Sequence, residues 1–262
     1  MKGSKYVSHP IDASGQVSWS PEEDSIWAFL VERQLRRSVD TACSVYLEGL
    51  DKLKLPKNRV PQLEEVNAVL SQCSGWELAA VPALIDFDTF FDLLASRRFP
   101  CATFIRTSEE IDYLQEPDIF HEIFGHCPML TDPRFADFTH RYAKMGKAAC
   151  HKDRVRLARL YWFTVEFGLI REAGKTKIYG GGILSSIGET EHALNDPAVI
   201  HENLDLVQAL RTPYRIDIMQ PKYFILNSLD ELENLSEERI LAALAEATSL
   251  GLLPALFPPK AG

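Results

Sequence analysis

Two histidines and a glutamate carry the chemistry that can be read from this chain. His121 and His126 lie in Pro117-Asp118-Ile119-Phe120-His121-Glu122-Ile123-Phe124-Gly125-His126, and Glu166 lies in Leu160-Tyr161-Trp162-Phe163-Thr164-Val165-Glu166-Phe167-Gly168-Leu169. A carboxylate buried alone in so apolar a segment is costly, so Glu166 needs a cation, a hydrogen-bond donor or a route to water. An arginine could meet that need, and either histidine taken singly is as readily a core or a surface residue. Taken together, two neutral imidazoles and one carboxylate make the donor set of non-haem iron(II) oxygenases, which leaves coordination positions open; zinc accepts the same set.

The spacing makes a structural demand. At about 100° per residue, side chains five apart on an ideal helix diverge by roughly 140° and do not share a face. Chelation by His121 and His126 therefore requires the helix to end or distort, and Gly125 and Pro128 are residues that allow it. This is not the H-E-x-x-H spacing of zinc proteases, in which the histidines are four apart and the glutamate is the base.

The elements that must hold these groups are mostly helical. Ser20-Pro21-Glu22-Glu23 offers a helix start with a capping box, followed by apolar residues at Ile26, Phe29, Leu30, Val39, Ala42 and Tyr46. A second helix is expected from Leu63 to Cys73, stopped by Gly75. Trp76 to Val81, Cys101 to Arg106 and Tyr223 to Leu226 read as short strands, with Asp86 to Ser96 a helix between the first two. Further helices are expected over Pro117 to Cys127, Pro133 to Cys150, Lys152 to Glu172, Ala198 to Leu210 and Ser236 to Ser249, with Gly180-Gly181-Gly182 breaking the pattern. The reading is a mostly α chain with a few short β-strands (α+β), residues 1–19 forming an N-terminal arm and 20–262 a single helical catalytic domain.

Composition fits that reading. The 262 residues are 46% hydrophobic and 25% charged, a globular balance, and 28 basic against 37 acidic side chains leave a net charge of −9. Such a surface repels phosphate backbones, so nucleic acid is not an expected partner. No apolar stretch reaches signal-peptide or membrane-span length, and Cys43, Cys73, Cys101, Cys127 and Cys150 form no C-x-x-C pair. A cytoplasmic protein with reduced thiols and no membrane partner is the expectation.

At the candidate ligands the chain resembles the pterin-dependent aromatic amino acid hydroxylases, above all their short bacterial members that act on phenylalanine. The resemblance rests on Pro117-Asp118-Ile119-Phe120-His121-Glu122 with Gly125-His126-Cys127-Pro128, on Tyr161 to Leu169, and on Tyr179-Gly180-Gly181-Gly182-Ile183-Leu184-Ser185-Ser186-Ile187-Gly188-Glu189. It covers roughly residues 20 to 230 by eye. It implies a catalytic domain that binds Fe(II) through His121, His126 and Glu166 and uses tetrahydrobiopterin or a related tetrahydropterin. With O₂ as co-substrate, such a domain converts L-phenylalanine to L-tyrosine and feeds phenylalanine catabolism.

Other roles carry over position by position. Arg106 matches the arginine that pairs with the amino acid's carboxylate, a task suited to a planar two-pronged donor. Pro117, Trp162 and Phe167 match residues around the substrate ring, and Gly182 and Ser185 lie where the substrate's backbone end sits; Ser185 would also orient His121. Phe90 matches the ring on which the pterin stacks, Val81, Ala83, Leu84 and Ile85 the adjoining loop, and Glu122 and Tyr161 positions near the pterin. Ala83 stands where animal members have glycine, and Leu114 where they have threonine. In Pro213-Tyr214-Arg215-Ile216-Asp217, Ile216 falls at the position that distinguishes phenylalanine from tyrosine enzymes and favours phenylalanine. The resemblance also implies no regulatory domain, no long coiled-coil tail, and a monomer or weak oligomer. A zinc-dependent hydrolase with the same ligands and a helical binding module with a buried polar cluster are the rival readings.

Overall fold

The computed structural model describes residues 4–259. The first helix, α1 (Pro21–Thr41), starts as its sequence dictates: the Ser20 hydroxyl accepts from the Glu23 N–H and the Glu23 carboxylate accepts from the Ser20 N–H. It does not run on to Tyr46. Ala42 and Cys43 are extended, and the Cys43 N–H donates to Ile178 O, so a new helix, α2 (Ser44–Leu53), begins there. Val39 and Phe29, counted with the apolar stripe, face outward. Next, α3 (Leu63–Ser74) ends at Gly75, whose left-handed φ of 72° closes the helix.

A parallel pair, β1 (Glu77–Val81) and β2 (Arg98–Ala102), is joined across α4 (Phe87–Ala95), which Asp86 caps. The second strand sits earlier than Cys101 to Arg106, because register with β1 sets Glu77 against Arg98 and Val81 against Ala102. The N-terminal segment crosses the end of this pair: Ser8 Oγ donates to Val81 O at 3.0 Å, His9 N to Thr103 O at 2.7 Å, and Tyr6 stacks on Phe104.

The ligand-bearing part is helical with two irregular turns. A π-helical turn over His121–His126 continues into α5 (Cys127–Leu130), then α6 (Pro133–Ala148) and α7 (His151–Tyr161), which passes into a second π-helical turn over Trp162–Glu166. Helix was expected as far as Glu172. Instead, β3 (Leu169–Glu172) turns at Ala173 and Gly174, both at positive φ, into β4 (Lys175–Ile178), a hairpin that no Asn-Gly or Asp-Gly pair announces. A short α8 (Gly181–Leu184) and α9 (Ile187–Asn195) follow. The expected helix over Ala198 to Leu210 is in fact β5 (Ile200–Asn203) and α10 (Leu206–Arg211), with Asp205 capping the latter. Then come β6 (Lys222–Leu226), α11 (Asp230–Glu233) and α12 (Glu237–Leu250). The second sheet has the order β4-β3-β6-β5.

One large apolar cluster joins these elements, with Trp27, Tyr46, Trp76, Phe120, Phe124, Phe138 and Tyr142 among its fully covered rings. The fold is therefore the mostly helical one with short strands. No helix among the described residues is long and apolar enough to cross a membrane.

Candidate metal centre

Among the described residues, His121, His126 and Glu166 bring their donor atoms within 4.8 Å of one another. His126 Nε2 lies 3.1 Å from His121 Nε2 and 3.3 Å from Glu166 Oε2, and His121 Nε2 lies 3.7 Å from the same oxygen. With metal–ligand bonds of about 2.1 Å, neighbouring donors stand about 3.0 Å apart on an octahedral face and about 3.4 Å apart on a tetrahedral one. The triangle fits one ion, and edge lengths alone do not choose between iron and zinc.

The turns explain how the triangle forms. In a π-helical turn the hydrogen bond spans five residues and the winding is wider than in an α-helix, so side chains five apart are brought onto the same face. The distortion that the sequence demanded between His121 and His126 is such a turn, and it continues through Pro128 instead of ending there. Glu166 closes the second such turn, in which Phe167 N donates to Trp162 O at 2.8 Å. Carbonyls loosened by the first turn find new partners: Tyr46 Oη donates to Phe124 O at 2.6 Å.

Electrostatics suit a cation. Burial pushes the His121 pKa down to about 4, with His126 adding to the effect and Glu166 opposing it, so the imidazole is neutral at pH 7 and offers a lone pair. Burial pushes the Glu166 carboxyl up, but the neighbouring His126 and His121 outweigh it and hold the pKa below its usual value. With Nε2 turned to the metal position, His121 Nδ1 carries the proton and donates to Ser185 Oγ at 2.9 Å. His126 Nδ1 is buried without a protein partner among the described residues.

The glycine run does more than break a helix. A Cβ on Gly180 would lie 2.4 Å from Glu166 O, and one on Gly181 would lie 2.4 Å from His126 Nδ1. The chain can pass this close to two ligand residues because it has no side chain there. The sequence reading gave Gly180 and Gly181 no such role.

Comparison with known proteins decides the family. The profile of the biopterin-dependent aromatic amino acid hydroxylases matches residues 7–240. The chain belongs to that family. The phenylalanine-4-hydroxylase of Pseudomonas aeruginosa is 54% identical over 260 residues, 99% of each chain. The apo structure of the cold-active phenylalanine hydroxylase from Colwellia psychrerythraea 34H superposes with a TM-score of 0.94 at 53% identity, covering 98% of this chain and 100% of that one. The Chromobacterium violaceum phenylalanine hydroxylase with bound oxidised Fe(III) superposes with a TM-score of 0.88 at 37% identity, covering 97% and 92%.

In this hydroxylase several of the remaining candidate residues contact one another or a ligand residue. Trp162 packs against Phe167 with centroids 4.3 Å apart, and Gly182 stands where a Cβ would lie 3.0 Å from Glu166 Oε2. Ser185 is buried against His121, and Pro117 is exposed one residue before buried Asp118. Phe90 meets Tyr161 edge to face at 5.3 Å. Glu122 is buried, and that burial, with Glu166 and Asp118 adding to it, raises its carboxyl pKa well above the ordinary value. Val81, Ala83, Leu84 and Ile85 precede α4; Ala83 is buried and Leu84 is largely exposed.

Arg106 is not the ordinary surface arginine that a strand end would allow. It is 6% exposed, and its Nε and one NH2 donate to the two Asp118 oxygens at 2.8 and 3.0 Å. Asp118 Oδ1 also accepts from the His121 N–H at 3.0 Å, which ties the arginine to the start of the first ligand turn. Asp118 was noted in the sequence only as a neighbour of the histidines.

Proposed function

We propose that this protein hydroxylates L-phenylalanine to L-tyrosine with O₂ and a tetrahydropterin, at a ferrous ion held by His121, His126 and Glu166. The observation that carries the reading is the convergence of those three donors, within 4.8 Å of one another, in a chain of the biopterin-dependent family. When bound, the ferrous ion and the reduced pterin supply the electrons and the site for activating O₂, so that one oxygen atom enters the ring.

The chain's own residues position and shield. Asp118 fixes the Arg106 guanidinium in one plane, and its NH1, without a protein hydrogen bond among the described residues, is directed to the substrate carboxylate. Gly182 and Ser185 receive the amino acid's backbone end, and Pro117, Trp162 and Phe167 surround its ring. Phe90 offers a face for the pterin, with Val81, Ala83, Leu84 and Ile85 beside it and Tyr161 behind. Glu122, whose carboxyl pKa is raised well above its ordinary value by burial and by the nearby Glu166 and Asp118, belongs with the pterin-binding residues. Residues 20–262 act as one catalytic domain with 1–19 as its arm, in a cytoplasmic monomer or weak oligomer.

Product analysis with phenylalanine, tyrosine and tryptophan, each with Fe(II) and a tetrahydropterin, tests the reading. Tyrosine from phenylalanine is expected, and zinc in place of iron should abolish it. A purified, iron-loaded protein that makes no tyrosine refutes the assignment.

A further inference from the structure

The segment from Thr212 to Pro221 contains neither helix nor strand, yet it carries Tyr214, whose ring stacks on Trp162 at 4.4 Å and 17°. Trp162 is also packed on Phe167 and begins the turn that ends at Glu166. One buried side chain ties these parts together. Gln220 is 1% exposed; its Oε1 accepts from the Trp162 indole N–H at 3.1 Å, and its Nε2 donates to the carbonyls of Arg215 and Ile218 at 2.8 and 2.9 Å. A flipped amide would set its oxygen against two carbonyls and its NH2 against the indole N–H, so the network admits one orientation. The main chain of Gln220 is fixed as well. Its N–H donates to Glu189 Oε1 at 3.1 Å, and its carbonyl accepts from His192 Nε2 at 3.0 Å. Glu189 is itself buried and accepts from the Tyr223 hydroxyl.

We infer that Gln220 is a positioning residue for the aromatic substrate: it locks the Tyr214 loop and Trp162 into one unit and so sets the wall against which the substrate ring rests. The inference rests on the proposed placement of that ring beside Trp162. Without the amide, two carbonyls and an indole N–H lose their buried partner, and the loop relieves this by moving toward water with Tyr214. On the pterin side Phe90 packs on Tyr161, and among the described residues no ring contact joins Phe90 to Trp162.

Gln220→Met keeps the length of the side chain and deletes its three hydrogen bonds. Both the KM for phenylalanine and its Kd, the latter by calorimetry on anaerobic iron-loaded protein, should rise about tenfold, while the KM for tetrahydropterin and the iron content stay within roughly twofold. Trp162→Phe removes the indole donor together with part of the ring that stacks on Tyr214 and Phe167, and with Gln220→Met its cost should fall short of the product of the separate effects. Equal rises in KM for phenylalanine and pterin overturn the inference. So does a lowered Tm with unchanged phenylalanine KM and Kd, which would mark a purely structural role. Should Gln220→Met fail to fold, Gln220→Glu carries the test, since it keeps the acceptor for Trp162 and loses both donors to the loop; an unchanged phenylalanine KM there is equally fatal. A wild-type protein that makes no tyrosine fails the functional reading and takes this inference with it. A competent wild type with an indifferent Gln220→Met variant fails the inference alone.

Discussion

A single methyl group at residue 181 is expected to release the metal without altering any ligand. An alanine Cβ there would lie 2.4 Å from Nδ1 and 2.5 Å from Cε1 of His126, where ordinary contact begins at 3.4 Å. The ring would have to retreat by about 1 Å, or the backbone of α8 would have to shift by as much. Neither is easy: His126 is 1% exposed with Phe99 packed on its ring at 5.0 Å, and the adjacent Gly180 is pressed against Glu166 O. Metal sites hold their distances to within about 0.2 Å, so a shift of that size removes His126 as a ligand. Iron affinity should fall by about 100-fold or more, on top of an overpacking cost of about 1–3 kcal/mol. A 100-fold loss removes about 2.7 kcal/mol of ligand stabilisation, which for a chain of this size is roughly 5–10 °C of the iron-dependent rise in Tm. The assay is thermal unfolding of Gly181→Ala with excess Fe(II) and with chelator, under anaerobic conditions. Gly188→Ala is the control, because its Cβ would meet only the flexible end of Met219. If Gly181→Ala kept the wild-type gap between loaded and chelated forms, close approach at this glycine would not be what holds His126 in place.

Three further outcomes follow from the same geometry. Ser185→Ala deletes the partner of His121 Nδ1 and should weaken iron binding roughly tenfold in a chelator competition; unchanged affinity would deny the serine its orienting role. Arg106→Ala strands the fully buried Asp118 carboxylate and should cost about 3–5 kcal/mol in urea unfolding, so its effect on phenylalanine KM is better read from Arg106→Lys; a loss under about 1 kcal/mol would contradict the buried pair. In the chelated protein, His121 titrates near 4 because it is buried, whereas the unfolded imidazole titrates near 6.5. The unfolded chain therefore binds the proton first, and stability is full above 6.5 and falls as pH drops toward 4, by up to about 1.4 kcal/mol per pH unit from this group. A flat urea midpoint across that window would show that the imidazole is not held neutral.

The sequence disclosed the chemistry of the site more fully than its architecture. His121, His126 and Glu166 were legible because charged or titratable groups in apolar segments demand partners, and the five-residue spacing disclosed that an ordinary helix could not serve. What the distortion would be was not legible, since a π-helical turn has the same composition as the α-helix around it. Helix starts with chemical markers, such as Ser20 with Glu23 and Asp86, fell where expected. Errors arose where tertiary pairing overrides local pattern: Leu169–Glu172 and Ile200–Asn203 follow or interrupt helical runs and become strands because β6 lies between them to pair with. Gln220 was passed over for a related reason. Its five hydrogen bonds come from partners between 2 and 58 residues away, and no local motif marks it.

Both irregular turns coincide with ligands, and this answers why the fold tolerates them. Regular helix would satisfy the same backbone groups with less compensation, yet it would set His121 and His126 on different faces. Compensation is visible at each turn: Tyr46 Oη on Phe124 O and Cys127 Sγ on Glu122 O at the first, Thr164 Oγ1 on Leu160 O at the second. These bonds stabilise the widened turns against reverting to α-helix, a local departure held in place by its surroundings. Tyr46 belongs to α2 and lies 78 residues before Phe124, so the metal geometry depends on core packing as much as on the ligands. The glycines complete the argument from the other side. The turns bring the donors together, and only a chain without side chains at Gly180 and Gly181 can close over them without pushing them apart.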